Sequence, residues 1–159
     1  MINLYYKNMP RVILNQMYKI LIENLFITYP KFLNEKDKHD NKRNYEIWTN
    51  MINNTDNYKV LTYEEESKVI GFLNFSIIED ELWISEVQID NNYKNKQILK
   101  KLLKKFVYLE DVNKYSSITI HINNDNEVSK KVFTHIGFKQ INNCIYKIDL
   151  EDMKKWLNK

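Results

Sequence analysis

The sequence predicts one α/β domain over residues 1–159, an α/β sandwich in which helices flank a mixed β-sheet. Residues 83–89 alternate apolar and polar side chains as a strand does, and a polar connector leads from them into residues 98–106, whose apolar side chains share one helical face. Residues 117–122 alternate in the same way, and a second helix follows them. Because a helix joins these two strands, we expect them to be adjacent and parallel, with a right-handed crossover.

The N-terminal third predicts a short strand and two helices. Residues 2–6 fit a strand, and Pro10 suits the start of a helix over residues 12–27, which carries a mostly apolar stripe. Residues 36–43 have mixed charge and predict a connector. A second helix is predicted after this connector. Its apolar residues are spaced so that they would share one side of a helix: Tyr45, Trp48, Met51 and Ile52.

The remaining elements complete the predicted sheet. Residues 58–64 and 68–79 predict a hairpin, and Gly71 inside its second strand indicates a bulge or a close approach of another group. Near the C-terminus, residues 139–149 predict one or two closing strands, and residues 150–157 predict a final helix.

The overall composition limits the classes of binding partner that are expected. A net charge of +3 does not favour a nucleic-acid or membrane partner, and no apolar run approaches the ~20 residues of a membrane span. The one cysteine, Cys144, excludes an intramolecular disulfide and points to a reducing cytoplasm. His39 and His135 are expected at the surface, so no metal site is predicted.

The start of the 98–106 helix predicts a site for an anion. The first N–H groups of a helix lack intrahelical partners, and the helix dipole favours negative charge there. Three lysines surround this point, namely Lys94, Lys96 and Lys100. The same residues also fit an ordinary amphipathic helix with a solvated lysine face, so at this stage both interpretations stand.

A second stretch, residues 126–138, favours the binding site. It opens with Asn126, has the small Ser129 three residues later and Phe133 four beyond that, and closes with Gly137-Phe138. In order and spacing, this stretch and the lysine-rich one together resemble the GNAT family of acyl-CoA-dependent N-acetyltransferases. The resemblance covers about residues 58–149 well and the N-terminal third loosely.

The lysine-rich stretch matches the family's phosphate-binding motif only in part. That motif has Arg or Gln, then Gly three residues later, then Gly or Ala two residues beyond. Here those places hold Lys94, Gln97 and Leu99, so both small residues are absent. Gln97 and Leu99 could still donate backbone N–H groups to a phosphate if their side chains pointed away.

The resemblance implies a GNAT-type sandwich whose two central parallel strands splay apart, with acetyl-CoA as co-substrate and no metal. Backbone groups of Val87 and Ile89 would then bind pantetheine, and the amides of residues 94–99 would bind the phosphates. The implied acetyl-CoA contacts are Val87, Gln88, Ile89, Lys94, Asn95, Lys96, Gln97, Ile98, Leu99, Lys100, Asn126 and Phe133.

Acetyl transfer to an amine needs a base, and two residues are candidates. Glu86 precedes Val87, and His121 lies where some GNAT enzymes have a carboxylate. An imidazole, with an ordinary pKa of about 6.5, suits proton transfer near neutral pH. Each residue also fits a structural role: Glu86 could pair with a lysine, and His121 could be hydrogen-bonded within the sheet.

Phe133 stands where the family usually has a tyrosine that protonates the leaving thiolate. Because phenylalanine cannot donate a proton, Tyr146, Tyr93 or water must do so, or the protein binds acyl-CoA as a sensor or interaction module without catalysis.

The leading interpretation is direct transfer from acetyl-CoA to a small-molecule or peptide amine in a ternary complex. A nucleic-acid module ranks third, because aromatic residues are not interleaved with the lysines. Residues 25–43, which usually shape the acceptor site in GNAT proteins, favour no substrate class, and formation of a homodimer is left open.

Overall fold

The computed structural model describes residues 1–29, 35–54, 56–94 and 96–159, with the side chains of residues 35–41 and 54 outside the description. The strands are β1 Ile2–Tyr5, β2 Tyr58–Glu65, β3 Lys68–Ile78, β4 Glu81–Ile89, β5 Ser117–His121, β6 Lys139–Asn142 and β7 Ile145–Asp149. The α-helices are α1 Arg11–Thr28, α2 Glu35–Asn54, α3 Ile98–Val107, α4 Glu127–Ile136 and α5 Leu150–Leu157. No described helix is long and apolar enough to cross a membrane.

The strands form one mixed sheet in the order β1-β2-β3-β4-β5-β7-β6. All neighbouring pairs are antiparallel except β4 and β5, which are parallel as predicted. Their pairing runs only from Leu82 opposite Ile118 to Ile84 opposite Ile120, although β4 continues to Ile89. We call the opening beyond these pairs the strand gap. The predicted sandwich with splayed central strands is confirmed.

A β-bulge in β4 lies where the strand gap begins. Phe75 of β3 pairs with Ile84, but its neighbour Asn74 pairs with Glu86, so Ser85 is an extra residue in β4. A bulge bends its strand, increases the local twist and changes the direction of the side chain beside it. Here the side chain whose direction changes is that of Glu86.

Gly71 lies where another strand approaches closely, as predicted. A Cβ atom built on Gly71 would lie 2.7 Å from Ile89 Cδ1 and 3.0 Å from the Gln88 carbonyl oxygen. Any larger residue would therefore push the end of β4 away from β3.

Helices cover both faces of the sheet. On one face, α3 and α5 bury Leu102, Leu103 and Met153, each with no exposed surface, against the strands. On the other face, α1 and α2 bury Met17 and Trp48. Burial of apolar area on both faces is what stabilises the three-layered arrangement.

One expected boundary is wrong. The structure begins α2 at Glu35, so residues 36–43 are helical and not a connector. These residues are entirely polar, so hydrophobic periodicity could not indicate a helix, although Glu, Lys and Arg are good helix formers. The segment 25–43 also falls partly outside the description, since residues 30–34 are not described.

Candidate functional site

The strand gap is lined by backbone groups of β4. The Asp90 N–H donates to Ile70 O at 2.8 Å, and backbone groups alternate in direction along a strand. The N–H and C=O groups of Val87 and Ile89 therefore point away from β3, into the gap. An extended ligand could pair with them as a strand would. One of them is already engaged, because Asn24 Nδ2 donates to Ile89 O at 3.1 Å.

The connector between β4 and α3 presents free amides. Asp90 holds its start, because Oδ1 accepts the Asn92 N–H at 2.9 Å. Gln97 ends it in the left-handed region, with φ 59°. The first backbone hydrogen bond of helix α3 is donated by the Lys101 N–H to Gln97 O, at 3.0 Å. Within the part of the chain that the structure describes, the amides of residues 98–100 have no acceptor, which suits an anion.

A lysine that sequence reasoning missed stands beside this connector. Lys68 at the start of β3 pairs with Asp90 at 2.9 Å, and its Nζ lies 5.1 Å from the centre of the Tyr93 ring. Lys96 Nζ lies 4.6 Å from the same ring centre. Only the pairing of β3 with β4 brings Lys68 here, and no local pattern in the sequence indicates it.

The other predicted cofactor contacts are more dispersed. Lys94 is exposed, and Lys100 Nζ lies 5.6 Å from the Trp156 ring of α5. Leu99 is partly buried against the core. Asn95 lies outside the described residues.

Glu86 projects from the face that α1 and α2 cover. Its Oε2 accepts from Trp48 Nε1 and Asn74 Nδ2, each at 3.2 Å, and Gln88 Nε2 lies 3.5 Å from Oε1. Gln88 is held in turn by Asn24 Nδ2, 2.8 Å from Gln88 Oε1. None of the described lysines or arginines forms an ion pair with Glu86, so the lysine-pair alternative finds no support.

Burial raises the pKa of Glu86 to about 7, and the hydrogen bonds from Trp48 and Gln88 oppose it. A carboxyl with this pKa is partly ionised at neutral pH and can both take and return a proton. Sequence reasoning found Glu86 but missed the two donors on Oε2, Trp48 and Asn74, because tertiary packing brings them together.

His121 ends β5 at the strand gap. Ile118 and Ile120 point into the core under α3, so by alternation His121 projects toward the same face as Glu86. Its side chain is exposed and makes no hydrogen bond with the described residues. The two base candidates therefore project to one side from the two strands that separate.

Asn126 and Phe133 are both explained by local structure. Asn126 caps α4, because its Oδ1 accepts the Ser129 N–H at 3.1 Å. Phe133 is partly buried and meets Phe138 edge-on, with ring centres 5.4 Å apart. Of the substitute acids, Tyr93 has Lys68 and Lys96 over its ring, and Tyr146 is 5% exposed on β7.

No group of three or more His, Cys, Asp or Glu side chains that could hold a metal ion is found among the described residues. His135 is exposed, as expected, and packs edge-on against Trp156 with ring centres 6.2 Å apart. The side chain of His39 lies outside the description.

An open groove of about 690 Å³ lies between α1 and α2. It is lined by Asn15, Tyr18, Lys19, Ile22, Glu23, Lys42 and Tyr45. The Tyr18 ring also packs against Trp48, with centres 5.5 Å apart. A wall of the groove therefore adjoins the indole that donates to Glu86.

The sequence model of the acetyltransferase (GNAT) family matches residues 14–138. The chain belongs to the GNAT acetyltransferase family. This confirms the resemblance found in the sequence.

Solved structures of GNAT proteins have the same fold. The PaiA N-acetyltransferase from Thermoplasma acidophilum, in complex with coenzyme A, is 18% identical with a TM-score of 0.75, covering 94% of this chain and 99% of that one. A GNAT acetyltransferase from Staphylococcus aureus Mu50 is 15% identical with a TM-score of 0.64 at the same coverage. The ribosomal-protein-S18-alanine N-acetyltransferase from Escherichia coli is 11% identical with a TM-score of 0.65, covering 94% of each chain. No curated protein sequence matches this chain.

Proposed function

We propose that this GNAT protein transfers the acetyl group of acetyl-CoA to a primary amine, with Glu86 as the general base. The observation that carries the proposal is the position of Glu86. The bulge at Ser85 presents its carboxyl where β4 leaves β5, and burial raises the pKa of that carboxyl to about 7. A base with a pKa near the working pH transfers protons most effectively.

The strand gap and the connector suit acetyl-CoA. The inward-facing backbone groups of Val87 and Ile89 can pair with the amide groups of pantetheine, and the unpartnered amides of residues 98–100 can bind the pyrophosphate. Gln97 stands in the place of the family's glycine and has a left-handed backbone, with φ 59°, a conformation that glycine adopts readily. The PaiA enzyme from Thermoplasma acidophilum, which has this fold, is in complex with coenzyme A.

The reaction requires little covalent work from the protein. Glu86 takes a proton from the ammonium group of the acceptor, and the freed nitrogen attacks the thioester carbonyl carbon. A C–N bond forms and the C–S bond breaks, the nitrogen releases its second proton to water to give the amide, and the thiolate takes up a proton to give free CoA. The Val87 N–H, which points into the strand gap, can stabilise the negative charge on the carbonyl oxygen. Water, Tyr93 or Tyr146 supplies the proton for the thiolate, since Phe133 cannot.

The second candidate is a sensor or interaction module that binds acyl-CoA but does not transfer the acyl group. The packing of Phe133 against Phe138 favours it, because this packing explains the residue without any catalytic role. The single cysteine, Cys144, fits a reducing compartment such as the cytoplasm for either candidate.

Isothermal titration with acetyl-CoA, followed by an assay of free thiol release with a panel of amines, separates the candidates. The enzyme hypothesis predicts binding together with thiol release that Glu86→Gln abolishes. Binding of acetyl-CoA without thiol release for any amine would support the second candidate, the acyl-CoA-binding module. Absence of binding would contradict both.

A further inference from the structure

A buried amide beside Glu86 has an acceptor oxygen without a hydrogen-bond partner among the described residues. Asn74 of β3 has no exposed surface and stands directly opposite Glu86 in the sheet. Its Nδ2 donates to Glu86 Oε2, whereas its Oδ1 is buried with no hydrogen-bond partner among the described residues. A buried acceptor without a donor is destabilising, so an asparagine here is not explained by packing alone.

We propose that Asn74 is a positioning residue that serves both protonation states of Glu86. Its NH₂ group donates to the carboxylate. Once Glu86 has taken the acceptor's proton, rotation of the Asn74 amide by about 180° turns Oδ1 toward the new O–H group. The two ends of an amide have nearly the same shape, so the exchange needs no backbone movement. This inference rests on the proposed function, in which Glu86 alternates between carboxylate and carboxylic acid.

The other partners of Glu86 cannot make this exchange. The Trp48 indole can only donate, and the carbonyl oxygen of Gln88 already accepts from Asn24. The described titratable or charged groups that line the groove between α1 and α2 on this face, together with His121 of β5, are Tyr18, Lys19, Glu23, Lys42, Tyr45 and His121. None of these six groups forms a hydrogen bond or ion pair with Glu86. Among the described contacts of Glu86, Asn74 therefore has both a donor that is bonded to the carboxylate and an acceptor that is unpaired.

The test compares Asn74→Thr with Asn74→Val, which have nearly the same shape. A threonine hydroxyl can donate to the carboxylate and accept from the acid, whereas valine can do neither. The readout is the pH titration of the Glu86 carboxyl carbon by ¹³C NMR, with no substrate present. We expect valine to raise the midpoint by about one pH unit, because the hydrogen bond that the carboxylate loses is stronger than the one that the neutral acid loses, and we expect threonine, which keeps both, to leave it within about 0.3. Equal midpoints in the two variants would overturn the proposal.

Ser76→Ala is the matched control. Ser76 lies on the same strand and face, is 1% exposed, and forms a hydrogen bond with Ser85 at 3.0 Å and none with Glu86. It should lose some thermal stability but leave the midpoint of Glu86 unchanged. A shift as large as that of Asn74→Val would show that any buried polar loss on β3 moves the titration, and would overturn the proposal.

A measurement on the unmodified protein does not depend on the variants folding. The side-chain amide resonances of Asn74 should titrate with the same midpoint as the Glu86 carboxyl carbon, and Glu86→Gln should abolish that titration. Amide resonances that do not change with pH would overturn the proposal. Neither NMR readout requires acetyl transfer, so failure to release thiol from acetyl-CoA would contradict the proposed function alone.

Discussion

Replacement of Glu86 by glutamine should remove a pH-dependent loss of stability. Burial raises the pKa of Glu86 from the ordinary 4.5 to about 7. Below about pH 4.5 the carboxyl is protonated in both the folded and the unfolded chain. Between that value and about pH 7 the unfolded chain ionises and the folded protein does not, so the free energy of unfolding falls as pH rises, and it levels off above pH 7.

The magnitude follows from the size of the pKa change. One pH unit corresponds to about 1.4 kcal/mol, so a change of about 2.5 units gives an upper value of about 3.5 kcal/mol. Glu86 is only partly buried by its accessible surface, which lowers the expectation to about 2–3 kcal/mol. Glutamine keeps the shape and can still accept from Trp48 and Asn74, but it does not titrate.

Urea unfolding of both proteins between pH 5 and pH 8.5 measures this effect. The free energy of unfolding of Glu86→Gln, relative to the unmodified protein, should rise with pH up to about pH 7 and then stay constant. A relative stability that is the same at every pH would show that the carboxyl has an ordinary pKa. The basis for Glu86 as a base at neutral pH would then be lost.

Further variants test the connector and the cofactor site. Gln97→Gly should raise the free energy of unfolding by about 0.5–1 kcal/mol in urea unfolding, because Gln97 has φ 59°, whereas glycine at the neighbouring Lys96 should lower it. The double change Lys94→Glu and Lys96→Glu should weaken acetyl-CoA binding by about 10- to 100-fold in isothermal titration, and unchanged affinity would leave the lysines as a solvated face. Phe133→Tyr should raise turnover, at the low end of the ~10²–10⁴-fold that a positioned acid contributes, if its ring edge faces the sulfur. A fall in melting temperature without any gain in rate would instead place that edge in the core.

The sequence was most informative where a periodic apolar pattern coincided with a connector. The strand and helix around residues 83–106 follow from such patterns, and so does the parallel pairing of β4 with β5. The start of α2 could not be predicted, because residues 36–43 contain no apolar side chain that would show a helical period.

The candidate site was predictable only in part, because its contacts depend on register. The sequence offered Glu86 as a base candidate, but the bulge at Ser85 that presents it follows from the pairing of β3 with β4, which no local pattern encodes. Lys68 and Asn74 come to the site through the same pairing. Asn24 did leave a signal, since it is a polar residue within the apolar stripe of α1, and the structure shows that it donates to Gln88 and Ile89.

The pH dependence of kcat/KM for thiol release from acetyl-CoA tests the central claim most directly. It should be measured with an amine found active in the panel, on the unmodified protein and on Glu86→Gln. We predict a rate that rises with pH through a midpoint near 7, and a glutamine variant that loses this limb together with most of the rate. A profile without a limb near pH 7, or a glutamine variant as fast as the unmodified protein, would contradict the assignment of Glu86 as the base.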